Sequence, residues 1–280
     1  MPIKNRISAP LVLLALIVPA LLSGCALFKK DEPEEDPTAE EMYAIAKQSL
    51  DNKNWLTAVD QLRELEAKYP YGVHAEQAQL DTIYAHYRSN DAGLTIAAAD
   101  RFIKLHPTHP SVDYAYYAKG LANYQENDSW FGRLTGRDDL SDRDASITQR
   151  AMDAFTDVYQ LFPASRYAAD ARARARYLYD TLARHELAVA AYYFSRNAHV
   201  AVINRARGVI ENYATTPSVE EALGLMVFCY RRMELDELAD DARRVLALNF
   251  PDSEYLDENG RYLLEKKLRI PDAFRQADDE

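Results

Sequence analysis

Six histidines and 44 carboxylates are the groups from which a reaction centre would be built, and their spacing does not assemble one. Only His106 and His109 stand close together, either side of Pro107-Thr108. Zinc needs at least one ligand beyond two imidazoles, and no cysteine lies nearby, so the pair reads as part of a turn. Neighbouring acids such as Asp138-Asp139 and Asp240-Asp241 would leave a helix in different directions, which suits a solvated face better than a shared proton. No Gly-rich phosphate loop, Gly-x-Ser-x-Gly elbow or His-Glu-x-x-His pair occurs. The Glu-Ser dipeptide typical of lytic transglycosylases is missing as well. The expectation is a protein without catalysis, cofactor or metal.

One residue does carry covalent chemistry by its setting. Lys4 and Arg6 precede an apolar run from Ala9 to Leu22, the pattern of a secretory signal and too short for a comfortable membrane span. The run ends in Leu22-Ser23-Gly24-Cys25, which resembles the lipobox of bacterial lipoproteins. That resemblance implies cleavage before Cys25 and acylation of Cys25 as the new first residue. Ala26 stands where inner-membrane retention would place Asp, which implies sorting to the outer membrane. Acyl chains hold a polypeptide at a bilayer without a spanning segment. Cys229 is then left with no intramolecular partner, and no structural disulfide is expected. A formal charge of −11, more negative still once Lys4 and Arg6 are lost, disfavours nucleic acid and anionic headgroups as partners.

Any binding surface must be positioned by helices. Nineteen Tyr against nine Gly, with abundant Ala, favour packed helices over a sheet. From Phe28 to Thr38 the chain is charged, broken by Pro and nearly free of apolar residues, so it reads as a tether with a reach of about 35 Å. Beyond it an aromatic or His precedes Pro at Tyr69-Pro70, His106-Pro107, Phe162-Pro163 and Phe250-Pro251, and Thr216-Pro217, with Tyr213 just upstream, fills the gap. Pro ends a helix because it lacks the N–H and forces the preceding residue out of α geometry. The intervals between these prolines are 37, 56, 54 and 34, so the outer two approach the 34-residue tetratricopeptide period.

Two further positions recur: Ala58, Ala151 and Ala239 lie twelve residues before such a Pro, and Leu65, Phe102, Val158 and Leu246 lie five before. Apolar residues at three and four spacing, as in Leu80, Ile83, Tyr84 and Tyr87, agree with helices. The expected fold is an all-α superhelix of about five tetratricopeptide-like pairs, at about 39–69, 74–106, 111–162, 166–216 and 218–250. The fourth pair opens with an overlong helix from about Arg166 to Arg196. The expected organisation is a signal (1–24), an acidic tether (25–38), N-terminal repeats (39–126), an insertion loop (127–146), C-terminal repeats with a capping helix at Tyr262-Leu263 (147–267) and a polar tail (268–280). Trp130 and Phe131, in a loop with little core to join, are expected to be contact residues.

Several strings resemble the BamD family, the tetratricopeptide-repeat lipoproteins of the β-barrel assembly machinery. They are Tyr69-Pro-Tyr-Gly72, Gln79-Leu-Asp-Thr-Ile-Tyr-Ala-His-Tyr87, Asp100-Arg-Phe-Ile-Lys-Leu-His-Pro-Thr-His-Pro110, Ser141-Asp-Arg-Asp144, and Val189-Ala-Ala-Tyr-Tyr193 with Arg196 and Val200-Ala-Val-Ile-Asn-Arg205. The resemblance implies a non-enzymatic adaptor, held on the periplasmic side of the outer membrane, that binds a central β-barrel insertase, accessory lipoproteins and unfolded outer-membrane proteins. It implies a client-facing region at Tyr69, Tyr71 and Gly72, and an insertase contact at Arg196 with Tyr192 and Tyr193. The competing reading is an envelope adaptor of the same architecture that scaffolds peptidoglycan or cell-division proteins.

Overall fold

In the computed structural model, which describes residues 36–126 and 145–263, the chain is helical between short turns. The described helices are α1 (Ala39–Asp51), α2 (Trp55–Lys68), α3 (Val73–Arg88), α4 (Ala92–Leu105), α5 (Val112–Glu126), α6 (Ala145–Leu161), α7 (Ala168–Phe194), α8 (His199–Asn212), α9 (Ser218–Arg232) and α10 (Asp236–Asn249). Each packs on the next along the chain, giving five consecutive hairpins. This is the expected all-α stack of tetratricopeptide-like pairs, and the overlong helix is α7. The first helices of successive pairs also touch, α1 on α3, α3 on α5 and α7 on α9. They therefore form the crowded inner wall.

The array opens at a capping box. Glu41 N donates to Thr38 Oγ1 at 3.3 Å while Thr38 N donates to Glu41 Oε2 at 2.8 Å, so two orphan donors of α1 are satisfied reciprocally. Inside four of the hairpins the turn contains a non-glycine residue in left-handed geometry: Lys53, Asn90, Asn197 and Glu234, with φ between 56° and 61°. The residue after each donates back to a carbonyl near the helix end, as Leu235 N does to Tyr230 O at 2.9 Å. These are Schellman-type closures built without glycine.

Between hairpins one register repeats. Tyr69, His106, Phe162, Tyr213 and Phe250 each follow a second helix, and their N–H bonds to the carbonyl four residues back, on Leu65, Phe102, Val158, Val209 and Leu246. Those five side chains are fully buried. Eleven residues before each aromatic stand Ala58, Thr95, Ala151, Val202 and Ala239, buried as well, where the partner helix crosses. This register corrects one expectation: α8 ends at Asn212 and is capped by Tyr213, four residues before Pro217. Its end is set by packing, for Tyr213 stands edge-on to Tyr179 with ring centroids 5.1 Å apart, and Pro217 instead precedes α9, where a missing N–H costs nothing.

α5 and α6 approach each other closely at Gly120 in α5. The Phe155 ring lies where a Cβ would meet it at 2.7 Å, so only glycine lets α5 and α6 close.

The far end of the stack also departs from expectation. Tyr262 and Leu263 are not helical. Leu256 and Tyr262 form an antiparallel bridge around a turn in which Asp257 Oδ1 accepts from the N–H of Asn259 and Arg261, and Gly260 takes φ 69°. Asp257-Glu258-Asn259-Gly260 is turn chemistry that precludes a helix through this stretch. The aromatic rings still cover the last hairpin. Tyr255 and Tyr262 are buried, and Tyr262 Oη donates to Gly224 O at 2.8 Å. The insertion at 127–144 and the tail from 264 lie outside the described residues.

Relaxing one strained turn tests this account. Glu234→Gly is expected to stabilise the C-terminal hairpins by about 1 kcal/mol, read from the urea midpoint, because a β-carbon in left-handed geometry costs roughly 1–2 kcal/mol and glycine returns part of that as chain entropy. Asn90→Gly should gain less, since Asn tolerates this geometry.

Candidate functional site

The inner wall encloses an open groove of about 990 Å³ that spans the first three hairpins and the turn into the fourth. Its floor and sides carry Leu50, Trp55, Leu80, Tyr84, Tyr114 and Tyr167, and its rim carries Lys47, Lys53, Arg88 and Arg166 against Asp51, Asp81 and Asp113. First helices supply most of these residues because their inward stripe has no further helix to pack against. The groove is a consequence of the stacking.

Its groups are held in place. Trp55 and Tyr84 meet edge to face with centroids 5.8 Å apart, and the Arg88 guanidinium lies 5.1 Å and 5.6 Å from the two ring centres. Arg88 Nη1 also donates to Tyr84 Oη at 2.9 Å. Across the groove, Tyr167 stacks on Tyr117 at 4.7 Å and tilts against Tyr114 at 5.9 Å, with the Arg166 guanidinium 4.8 Å from the Tyr167 centroid. Burial pushes the Tyr114 phenol well above its ordinary range, so it stays a neutral donor. Tyr43 Oη donates to Asp81 Oδ2 and Ser165 Oγ to Asp113 Oδ2, at 2.8 Å and 2.6 Å, which occupies two of the rim acids from within the fold. What remains available is aromatic surface beside fixed guanidinium groups. Such a surface suits apolar or aromatic side chains on an extended peptide, and carboxylates near them.

The residues singled out in the sequence fall elsewhere. Tyr69 is half-buried against the α1–α3 core and donates its hydroxyl to Pro37 O at 3.0 Å. Tyr71 is 91% exposed, and Gly72 takes φ 98° as the N-cap of α3. None of the three lines the groove. Arg196, Tyr192 and Tyr193 do come together: the Arg196 guanidinium lies 4.5 Å from the Tyr192 centroid, and Tyr192 meets Tyr193 at 5.6 Å. Tyr193 also borders a depression of about 510 Å³ shared with Glu186, Arg205 and Tyr213. There Arg205 Nη1 reaches Glu186 Oε2 at 3.0 Å, and this hydrogen bond raises the Arg205 pKa. Cys25, Trp130 and Phe131 lie outside the described residues.

His106 and His109 have work in their turn. His106 Nε2 pairs with Gln79 Oε1 at 3.1 Å, while Ser111 N donates to His109 Nδ1 at 3.0 Å. A neutral His109 thus carries its proton on Nε2, which faces Glu76 at 3.5 Å. Sequence reasoning passed over Trp55, Arg88 and Tyr167, took Arg166 only as the start of a long helix, and took Tyr84 only as a periodic apolar residue. The available signal was the cation–aromatic pairing itself, in Tyr84 with Arg88 one turn later and in Arg166-Tyr167.

Stacked helical hairpins with an aromatic inner groove define a tetratricopeptide-like binding scaffold. The family model described as the YfiO outer membrane lipoprotein matches residues 35–246. The chain belongs to this family. Relatives named outer membrane protein assembly factor BamD match most of the chain. That of Neisseria meningitidis serogroup B is 40% identical over 89% of this chain and 95% of its own length, and that of Xylella fastidiosa strain Temecula1 is 35% identical over 89% and 85%. The relative from Vibrio cholerae is 32% identical over 84% of this chain and 96% of its own.

Cys229 is sealed inside α9, and burial raises its thiol to about 12. Because the thiolate is the reactive form, a Cys25→Ser chain at pH 8 is expected to resist iodoacetamide until urea opens the last hairpins. Prompt alkylation under native conditions would show that this core breathes.

Proposed function

We propose that this chain is a non-enzymatic lipoprotein adaptor of outer-membrane β-barrel assembly, held at the periplasmic face of the outer membrane by acylated Cys25. It binds the central insertase of the assembly complex, alongside accessory lipoproteins, and receives unfolded outer-membrane proteins. Membership of a family whose relatives are named assembly factors supports the process. The observation that carries the mechanism is the groove. Its rings are fixed by edge contacts and guanidinium groups, so an extended client segment loses entropy on binding while the groove loses little.

The second surface is the corner after α7. Arg196 lies over an exposed Tyr192 and beside the Tyr193 depression, which offers a cation, a ring and a hollow to one partner. Aromatic and Arg side chains of this kind are typical anchors of protein interfaces. We assign this corner to the insertase and the groove to clients.

Two substitutions separate the surfaces. Trp55→Ala with Arg88→Glu is expected to weaken binding of a peptide copied from the C-terminus of an outer-membrane barrel by about tenfold or more, measured by fluorescence anisotropy. Arg196→Glu should leave that affinity unchanged and reduce copurification of the insertase from membranes. Peptide binding indifferent to the groove pair would remove the client assignment, and full recovery of the insertase with Arg196→Glu would remove the other.

A further inference from the structure

The chain enters the fold at a fixed place. Lys68 Nζ lies 3.0 Å from Asp36 Oδ1, and the Tyr69 hydroxyl bonds to Pro37 O, so the residues leading into α1 are clipped to the α2–α3 turn. The tip of that turn is apolar and bare: Tyr71 is 91% exposed and Val73 74%. Gly72 between them holds φ 98° and ψ 175°, a backbone reserved for glycine, and its carbonyl accepts the N–H of Ala75 and Glu76. The tip is thus a rigid projection of α3. The next inter-hairpin turn is tied to α3 through Glu76 and His109, and Lys104 and Leu105, at the end of α4 just before it, are exposed. None of these residues lines the groove.

Ten residues separate Cys25 from Asp36, at most about 40 Å of extended chain from one to the other. With acyl chains on Cys25, the clip makes this corner the part of the fold tethered nearest the bilayer. A Tyr ring with its hydroxyl suits the boundary between acyl chains and water, and a lysine can keep its stem in the apolar zone while its ammonium reaches phosphate.

We propose that Tyr71 and Val73 form a membrane-touching corner that enters the headgroup region of the bilayer carrying the anchor and so fixes the orientation in which the groove is presented. This rests on the assignment of Cys25 as the anchor. The anchor supplies the affinity by keeping the corner at high local concentration, and the corner supplies direction.

The test uses the acylated full-length chain with Val73→Cys, which leaves Tyr71 in place. Cys229 is buried and Cys25 is acylated, so only the new thiol takes a nitrobenzoxadiazole label. The protein is reconstituted with vesicles of phosphatidylethanolamine and phosphatidylglycerol and floated. Leu56→Cys, labelled in the same way, is the control, because Leu56 is 75% exposed at the other end of α2, about 20 Å away. Both should float. At position 73 the emission should move to shorter wavelength and be quenched by brominated acyl chains several-fold more than at 56, and adding Tyr71→Asp should abolish the difference. Floating protein whose position 73 is as wet as position 56 overturns the corner and leaves the anchor standing. Failure to float removes both. Shielding of position 73 that needs added client polypeptide, without quenching by lipid bromine, would identify a protein occupant and overturn the lipid assignment.

Discussion

The structure depends on how each second helix ends. An aromatic ring or imidazole caps it, the side chain four residues earlier is fully buried, and a small or β-branched residue eleven earlier lets the partner helix cross. That combination appears five times, at Tyr69, His106, Phe162, Tyr213 and Phe250. It fixes where each hairpin stops and how the next one starts. The apolar core is consequently divided into clusters shared between neighbouring pairs, as expected of a quasi-one-dimensional array. No single centre holds the molecule together.

A surface follows from that arrangement. Because first helices line the inner wall and second helices the outer, side chains that would be core in a globular bundle are left facing a groove. Tyr84 and Tyr114 are of this kind, joined by Trp55 at the start of α2 and Tyr167 just ahead of α7. Arg88 and Arg166 lie over the rings, which keeps aromatic surface open to solvent without letting it collapse on itself. Polar ties between repeats hold the spacing of the walls: the carboxylate of Glu66, on α2, takes Gln79 from α3 and Arg101 from α4. One side chain thereby sets the relation of three helices.

Much of the fold was legible because its punctuation is chemical. Prolines and aromatics mark inter-hairpin turns, polar runs such as Asn52-Lys53-Asn54 mark the inner ones, and both are properties of single residues that survive tertiary packing. The exceptions have the same origin. Pro217 looked like a stop, but Tyr213 had already ended α8; Tyr262 looked like the start of a helix, but Asp257 and Gly260 had already turned the chain. In each case a tertiary or side-chain contact a few residues away decided first. The groove was less legible, since which stripe of an amphipathic helix faces the inner wall depends on how hairpins stack. Periodicity gives the same reading for a residue in the core and one in the groove.

Helix α7 gives the array a mechanical property. Its 27 residues make a rod about 40 Å long. Ala171, Ala175 and Leu178 seat its first half in the core shared with α6, whereas Ala183, Leu187 and Ala190 seat its second half in the core of the last hairpins. Tyr167 at one tip is groove wall, and Tyr192 with Arg196 stands at the other. A helix seated in two separate cores joins them, so a displacement of either end has to be accommodated by the packing of both.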